Sequence, residues 1–205
     1  MSGSYLMIGV DVGKKRDPTT VCVALPELRQ GVAHFAIPYL SRLPLGTPYP
    51  QVVDRLVNLI RKARRRAGTS CAETVVFIDA TGVGVPVVDM LSGRARGLCR
   101  LRPVYLTGGT GRRVDGDTIK LSKTFLVRRL QALFGTDRLH LASSPEASAL
   151  VQELDTYEIR VNEKGNPQYG AFRAGTHDDL VTALALAVQE DVSTAGRRGG
   201  QDTHD

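Results

Sequence analysis

The 205-residue chain has no tryptophan, and aromatic residues make up only 5% of it. Stacking of bases on rings is therefore not expected to dominate any nucleic-acid contact, which leaves backbone phosphates as the main target. The three cysteines, Cys22, Cys71 and Cys99, contain no CxxC pair and no even-numbered framework. They read as reduced, mostly buried thiols of an intracellular protein. There is no signal peptide and no apolar run of about 18 residues, so neither secretion nor membrane insertion is supported. Internal repeats are also absent.

What the chain has is positive charge and a set of carboxylates in apolar surroundings. The formal net charge is +6, which points to an acidic partner, with nucleic acid the default. The basic residues cluster, as in Arg61, Lys62 and Arg64–Arg66, then Arg94, Arg96, Arg100 and Arg102, then Arg112 with Arg113 and Arg128 with Arg129. Solvated helix faces account for part of these clusters.

Hydrophobic periodicity predicts three strands with short connections, at about 5–12, 19–25 and 32–38, which suggests an antiparallel meander. A proline-rich loop then leads to a helix over 51–67, with Gly68 at its end and arginines in its last turn. The apolar run Thr74–Asp79 reads as a central strand covered on both faces. A short helix to about Leu91, a strand over 101–106 and a flexible basic loop over 107–113 follow, and the next helix is expected over 118–134. A short strand (138–141), a helix from Ser144-Pro145 to about Leu154, a hairpin across Lys164–Pro167 and a last helix over 177–191 complete the pattern. The whole is one domain over 1–192, with residues 193–205 expected to form a disordered tail. Its fold class is α/β: a mixed sheet of antiparallel then parallel strands, flanked by helices on both faces. That order is the ribonuclease H-like arrangement, which makes the first and fourth strands neighbours at the sheet centre.

Asp11 ends one apolar strand, Asp79 ends another, and Asp178-Asp179 opens an apolar helix. A carboxylate leaving water at a buried strand end needs a partner. Three such positions suit a divalent-metal site, because Mg²⁺ and Mn²⁺ prefer oxygen ligands and nucleases commonly hold two such ions. Asp11 could instead close its turn by accepting from the amides of Gly13 or Lys14. Of the adjacent pair, Asp179 shares a helical stripe with Thr182 and Leu186 and is expected to point inward. Asp178 is then the cap or a second-metal ligand. His177 is a candidate to bind metal, orient water or hold the loop. Lys120 and Lys123 are expected one turn apart at a helix start, as point charges for a phosphate or as solvated lysines. Gly82 and Gly84 do not complete a dinucleotide fingerprint, and Gly9–Lys15 is one residue short of a P-loop.

Gly9-Val-Asp11, Phe77-Ile-Asp79-Ala-Thr-Gly-Val-Gly84, Lys123 before an apolar helix, and His177-Asp-Asp-Leu-Val-Thr-Ala-Leu-Ala185 together resemble the nuclease domain of tailed-bacteriophage terminase large subunits. The resemblance runs over nearly the whole chain in the family's order. It implies a ribonuclease H-like fold, two Mg²⁺ or Mn²⁺ ions, and endonucleolytic cutting of concatemeric viral DNA during genome packaging. The catalytic carboxylates would be Asp11, Asp79 and Asp179, with Asp178 as a further metal ligand and His177 and Lys123 as auxiliaries. Lys14, Lys15, Arg112, Arg113 and Lys120 would contact DNA. The partners implied are double-stranded DNA and, among proteins, a packaging ATPase, a small terminase subunit or a portal, in the host-cell cytoplasm. Family members usually carry an N-terminal packaging ATPase, so the chain reads as an excised domain or a free-standing nuclease. Thr182 stands where many relatives place another acid. The rival readings are a Holliday-junction resolvase-like nuclease and a non-catalytic DNA-binding module of the same fold.

Overall fold

The computed structural model describes residues 5–13, 17–156, 158–161, 167–170 and 178–191, with backbone alone for 156, 158–161 and 167–170. Lys14, Lys15, His177 and the expected tail over 193–205 lie outside the described residues. Strands β1 (Leu6–Asp11), β2 (Thr20–Arg29) and β3 (Val32–Arg42) form the expected antiparallel meander. Helix α1 (Tyr49–Ala67) ends at Gly68, and β4 (Thr74–Asp79) then pairs in parallel with β1. Next come α2 (Gly84–Arg94), β5 (Arg100–Thr107), β6 (Arg112–Asp115), β7 (Thr118–Ser122) and α3 (Lys123–Gly135). The chain continues with β8 (Leu139–Leu141), α4 (Pro145–Thr156), the hairpin β9 (Glu158–Val161) and β10 (Pro167–Gly170), and α5 (Asp179–Ala187).

Eight strands make one sheet in the order β6-β7-β5-β4-β1-β2-β3-β8. The ribonuclease H-like arrangement is therefore borne out, with β1 and β4 adjacent near its centre. Side chains alternate along β1 as the pleat requires. Leu6, Ile8 and Val10 join the core under α1 and α2, while Met7 joins the core on the other side, with α3, α4 and α5. Every residue of α5 is buried. A helix apolar all round belongs inside a structure rather than on its surface, and α5 lies between the sheet and α3 and α4.

Gly9 sets how closely α5 approaches. A Cβ there would stand 2.1 Å from the Ala183 carbonyl oxygen and 2.5 Å from the Ala187 nitrogen. Both obstacles are backbone, so a methyl group forces the helix off the strand. Gly9→Ala should cost about 2–3 kcal/mol, or roughly 5–10 °C in thermal melting. A melting point unchanged within a degree would show that this contact is softer than its geometry implies.

Two segments differ from the sequence-based expectation. Arg112 and Arg113, expected in the basic loop at 107–113, and the helix start expected at 118 belong in fact to the hairpin β6–β7, and α3 begins only at Lys123. The reason is a change of period. Ile119 and Leu121 are buried while Lys120 is exposed, which is strand alternation, and Ser122 then caps α3 by accepting from the Phe125 amide at 3.1 Å. Lys120 and Lys123 are consequently on different elements. The third strand also runs past Pro38 to Arg42. Val23 pairs with Tyr39 but Leu25 with Ala36, so one extra residue of β3 is absorbed beside Pro38. A bulge is where a strand tolerates the missing amide of proline.

Cys22 and Cys99 are buried free thiols, and Cys71 is a partly buried one. Burial pushes the Cys99 thiol up to about 12, which leaves it inert at neutral pH. Among the described residues, no helix is long and apolar enough to cross a membrane.

Candidate active site

The parallel register of β1 and β4 runs to Val10 opposite Ile78, one step before Asp11 and Asp79. Val10 and Ile78 face the α1–α2 layer, so alternation turns both following carboxylates toward α5. The start of α5 supplies Asp178 and Asp179. The four aspartates line a cleft of about 560 Å³, together with Thr81, Thr107, Lys123 and Thr182. Gly84 lets α2 close over the end of β4, because a Cβ there would lie 1.9 Å from the Asp79 carbonyl oxygen. No side chain caps α2.

Each carboxylate has its own surroundings. Asp11 sits at the cleft floor, and burial drives its carboxyl well above the usual range; Asp79, Asp178 and Asp179 push the same way, and Lys123 opposes them. The turn-closing alternative for Asp11 loses one of its donors, because the Gly13 amide donates to Thr19 Oγ1 at 3.1 Å. Asp79 Oδ1 accepts from the Thr81 amide at 2.8 Å, and Thr81 Oγ1 in turn accepts from the Leu106 amide at 2.9 Å. These bonds tie the ends of β4 and β5 together at the cleft wall.

Asp178 and Asp179 have different surroundings. Asp178 occupies the N-cap position, but its side chain makes no capping bond. It pairs instead with Lys123 Nζ at 3.1 Å, with 29% of its side chain exposed. Asp179 is only 4% exposed. Its Oδ2 accepts from Thr20 Oγ1 at 2.5 Å and from Arg42 Nε at 2.7 Å, and its Oδ1 from Arg42 Nη2 at 3.3 Å. Arg42 also pairs with Glu153. The other oxygen of Glu153 accepts from the amides of Leu180 and Val181 at 3.1 and 3.2 Å, so a carboxylate from α4 caps α5. Burial, reinforced by Asp179, lifts Glu153 to about 7 against the pull of those amides and of Arg42.

Sequence reasoning missed Thr20, Arg42 and Glu153. Thr20 was findable, since it pairs with Asp11 across β1 and β2. Glu153 had a weak signal, as a charge between Leu150 and Leu154 on the apolar side of its helix. Arg112 and Arg113, expected together in a flexible loop, lie in β6 on opposite faces of the sheet. Arg112 donates to Gln189 and pairs with Glu190 just beyond α5.

The donor chemistry fits a hard dication: oxygen ligands only, crowded enough to repel one another. Among the described residues, however, no group of three His, Cys, Asp or Glu side chains is already arranged to hold an ion. The carboxylates are engaged by Thr81, Lys123 and Arg42. Of these partners Lys123 is the one that can swing away, since 39% of its side chain is exposed.

No protein-family model matches this sequence, and no curated protein does either. Solved structures do. The large terminase nuclease of thermophilic phage G20c is 23% identical, with a TM-score of 0.64 over 92% of this chain and 83% of that one. The human cytomegalovirus terminase nuclease domain, manganese-soaked and inhibitor-bound, is 11% identical, with a TM-score of 0.59 over 90% of this chain and 81% of its own. The large terminase nuclease domain of bacteriophage SPP1 with bound manganese is 12% identical, with a TM-score of 0.52 over 89% of this chain and 84% of that one. With β1 and β4 side by side and helices on both faces, the chain shares the ribonuclease H-like fold of these viral terminase nuclease domains.

Proposed function

We propose that the chain is a divalent-metal-dependent endonuclease of double-stranded DNA, cutting phosphodiester bonds with two ions, in the setting of viral genome packaging. The observation that carries this reading is the convergence of Asp11, Asp79, Asp178 and Asp179 on one open cleft beside Lys123. Two of the similar solved structures are named with manganese, which supports Mn²⁺ or Mg²⁺ in this cleft.

Asp11, Asp79, Asp178 and Asp179 are the carboxylates that would hold the two ions. Bound there, the ions would activate water and stabilise the leaving oxygen. The bonds of Asp179 to Thr20 and Arg42 also fix the first turn of α5 and hence the position of Asp178. Lys123, on releasing Asp178, places an ammonium beside the scissile phosphate as a point charge. His177 would assist as an auxiliary, and Lys14 and Lys15 would contact DNA, as would Lys120 and Arg113. The chain would partner a packaging ATPase, a small terminase subunit or a portal.

The test is plasmid cleavage with Mn²⁺, Mg²⁺ or EDTA, paired with thermal melting. Cutting should require Mn²⁺ or Mg²⁺ and stop in EDTA. Mn²⁺ at about 100 times its dissociation constant should add about 2.7 kcal/mol, or roughly 5–10 °C. Equal cutting in EDTA, or neither cutting nor a melting shift, would overturn the reading.

A further inference from the structure

We propose that Tyr105, Lys120 and Arg113 form a track for the DNA backbone flanking the cleft, an inference that rests on the endonuclease reading above. The three residues come from three different strands but stand in one row. Tyr105 is opposite Lys120 across β5 and β7, and Lys120 is opposite Arg113 across β7 and β6. With neighbouring strands about 4.8 Å apart, the row is about 10 Å wide, close to three 3.4 Å rises of a DNA strand.

Alternation defines the face. Val104, Ile119 and Leu121 point into the core shared with α3 and α5, so Tyr105 and Lys120 point the other way. Arg112, on the core side, reaches Glu190, which leaves Arg113 on the outer face. Lys120 and Arg113 are exposed there, and Tyr105 is 37% exposed. Among the described residues, neither cation has an ion-pair partner.

Two further features assign the occupant. One residue beyond Tyr105, β5 reaches Leu106 and then Thr107, both of which line the cleft, and Ser122, opposite Thr107, leads into Lys123. Thr107 shares the face of Tyr105, so the row meets the cleft rim from the face opposite α5, about 7 Å, one pleat repeat, along the strand. Charge also changes sign along the β6–β7 hairpin. Asp115 and Asp117 mark the turn, distant from the cleft, while Lys120 and Arg113 lie nearer to it. A polyanion drawn to the cations and repelled by the turn is steered toward the carboxylates. Tyr105 adds a phenol O–H donor at the cleft end of the same row.

Binding of a fluorescein-labelled duplex, read by anisotropy in EDTA from about 50 to about 200 mM salt, tests this without cleavage. Lys120→Gln/Arg113→Gln should weaken binding about tenfold and lower the salt slope by about 1.8, since each phosphate contact contributes about 0.9. With Mn²⁺, the same variant should raise KM and leave kcat unchanged. Arg128→Gln, an exposed cation of α3 on the opposite side of the sheet, should change neither slope nor affinity. If the double variant binds with wild-type affinity and slope while wild type still cuts DNA, the track is wrong and the endonuclease reading stands. If wild type neither binds nor cuts duplex DNA, the reading falls and the track with it.

Discussion

Asp11→Asn should reduce DNA cleavage to below about a thousandth of the wild-type rate while leaving the metal-free protein as stable as before, or more so. Loss of function usually accompanies loss of structure, so this opposite pairing is diagnostic. Burial raises the Asp11 carboxyl, and Asp79, Asp178 and Asp179 raise it further. The folded protein therefore binds this proton more tightly than the unfolded chain does. Its contribution favours folding in acid and fades as pH rises from the ordinary carboxylate range through the raised value. Asparagine fills the same volume without the charge and removes that penalty. Melting curves in EDTA between about pH 4 and pH 8 should show the variant gaining on wild type toward neutral pH. Retained cutting, or a lower melting point than wild type at neutral pH, would refute the assigned role.

Arg42→Ala should have the largest effect on stability, about 3 kcal/mol, or roughly 6–12 °C in melting. The Arg42 side chain is 30% exposed, but those of its two partners are not: Asp179 and Glu153 are 6% and 7% exposed. Removing the cation leaves two nearby anions in a poorly hydrated place. The loss should depend on pH. Glu153 has a folded value near 7 against an ordinary 4.5, so it is neutral in the folded protein at pH 5 and charged at pH 8. Arg42 lowers that value, and without it the value rises further. The deficit should therefore be larger at pH 8 than at pH 5, since only the Asp179 pair is lost in acid. A constant deficit across that range would mean that Glu153 is not coupled to Arg42.

Much of the fold was legible because long apolar segments carry a clear period. Thr74–Asp79 was readable to the residue, since a strand buried on both faces admits few polar interruptions. Asp11 and Asp79 could be placed side by side from strand order alone. The β6–β7 hairpin was not legible: five residues, Thr118–Ser122, adjoin the apolar face of α3, and so short a run fits either period. The same limit hid Arg42. Proline at position 38 reads as a strand end, and only a bulge, a tertiary accommodation, carries β3 four residues further to bring the guanidinium opposite Thr20. Helical stripe geometry favoured Asp179 over Asp178 as the cleft-facing ligand. It could not show that Arg42, from β3, would also pair with Asp179.

The arrangement of β1 and α5 also bears on when the protein becomes competent. The first strand and the last helix bring residues more than 160 positions apart into one cleft. Chains leave the ribosome from the N-terminus, and contacts so distant in sequence form late. Before α5 seats, Asp11 and Asp79 stand without Asp178 and Asp179, and nothing covers Gly9. On the endonuclease reading, cutting would begin only once α5 has seated on β1 and brought its aspartates to the cleft.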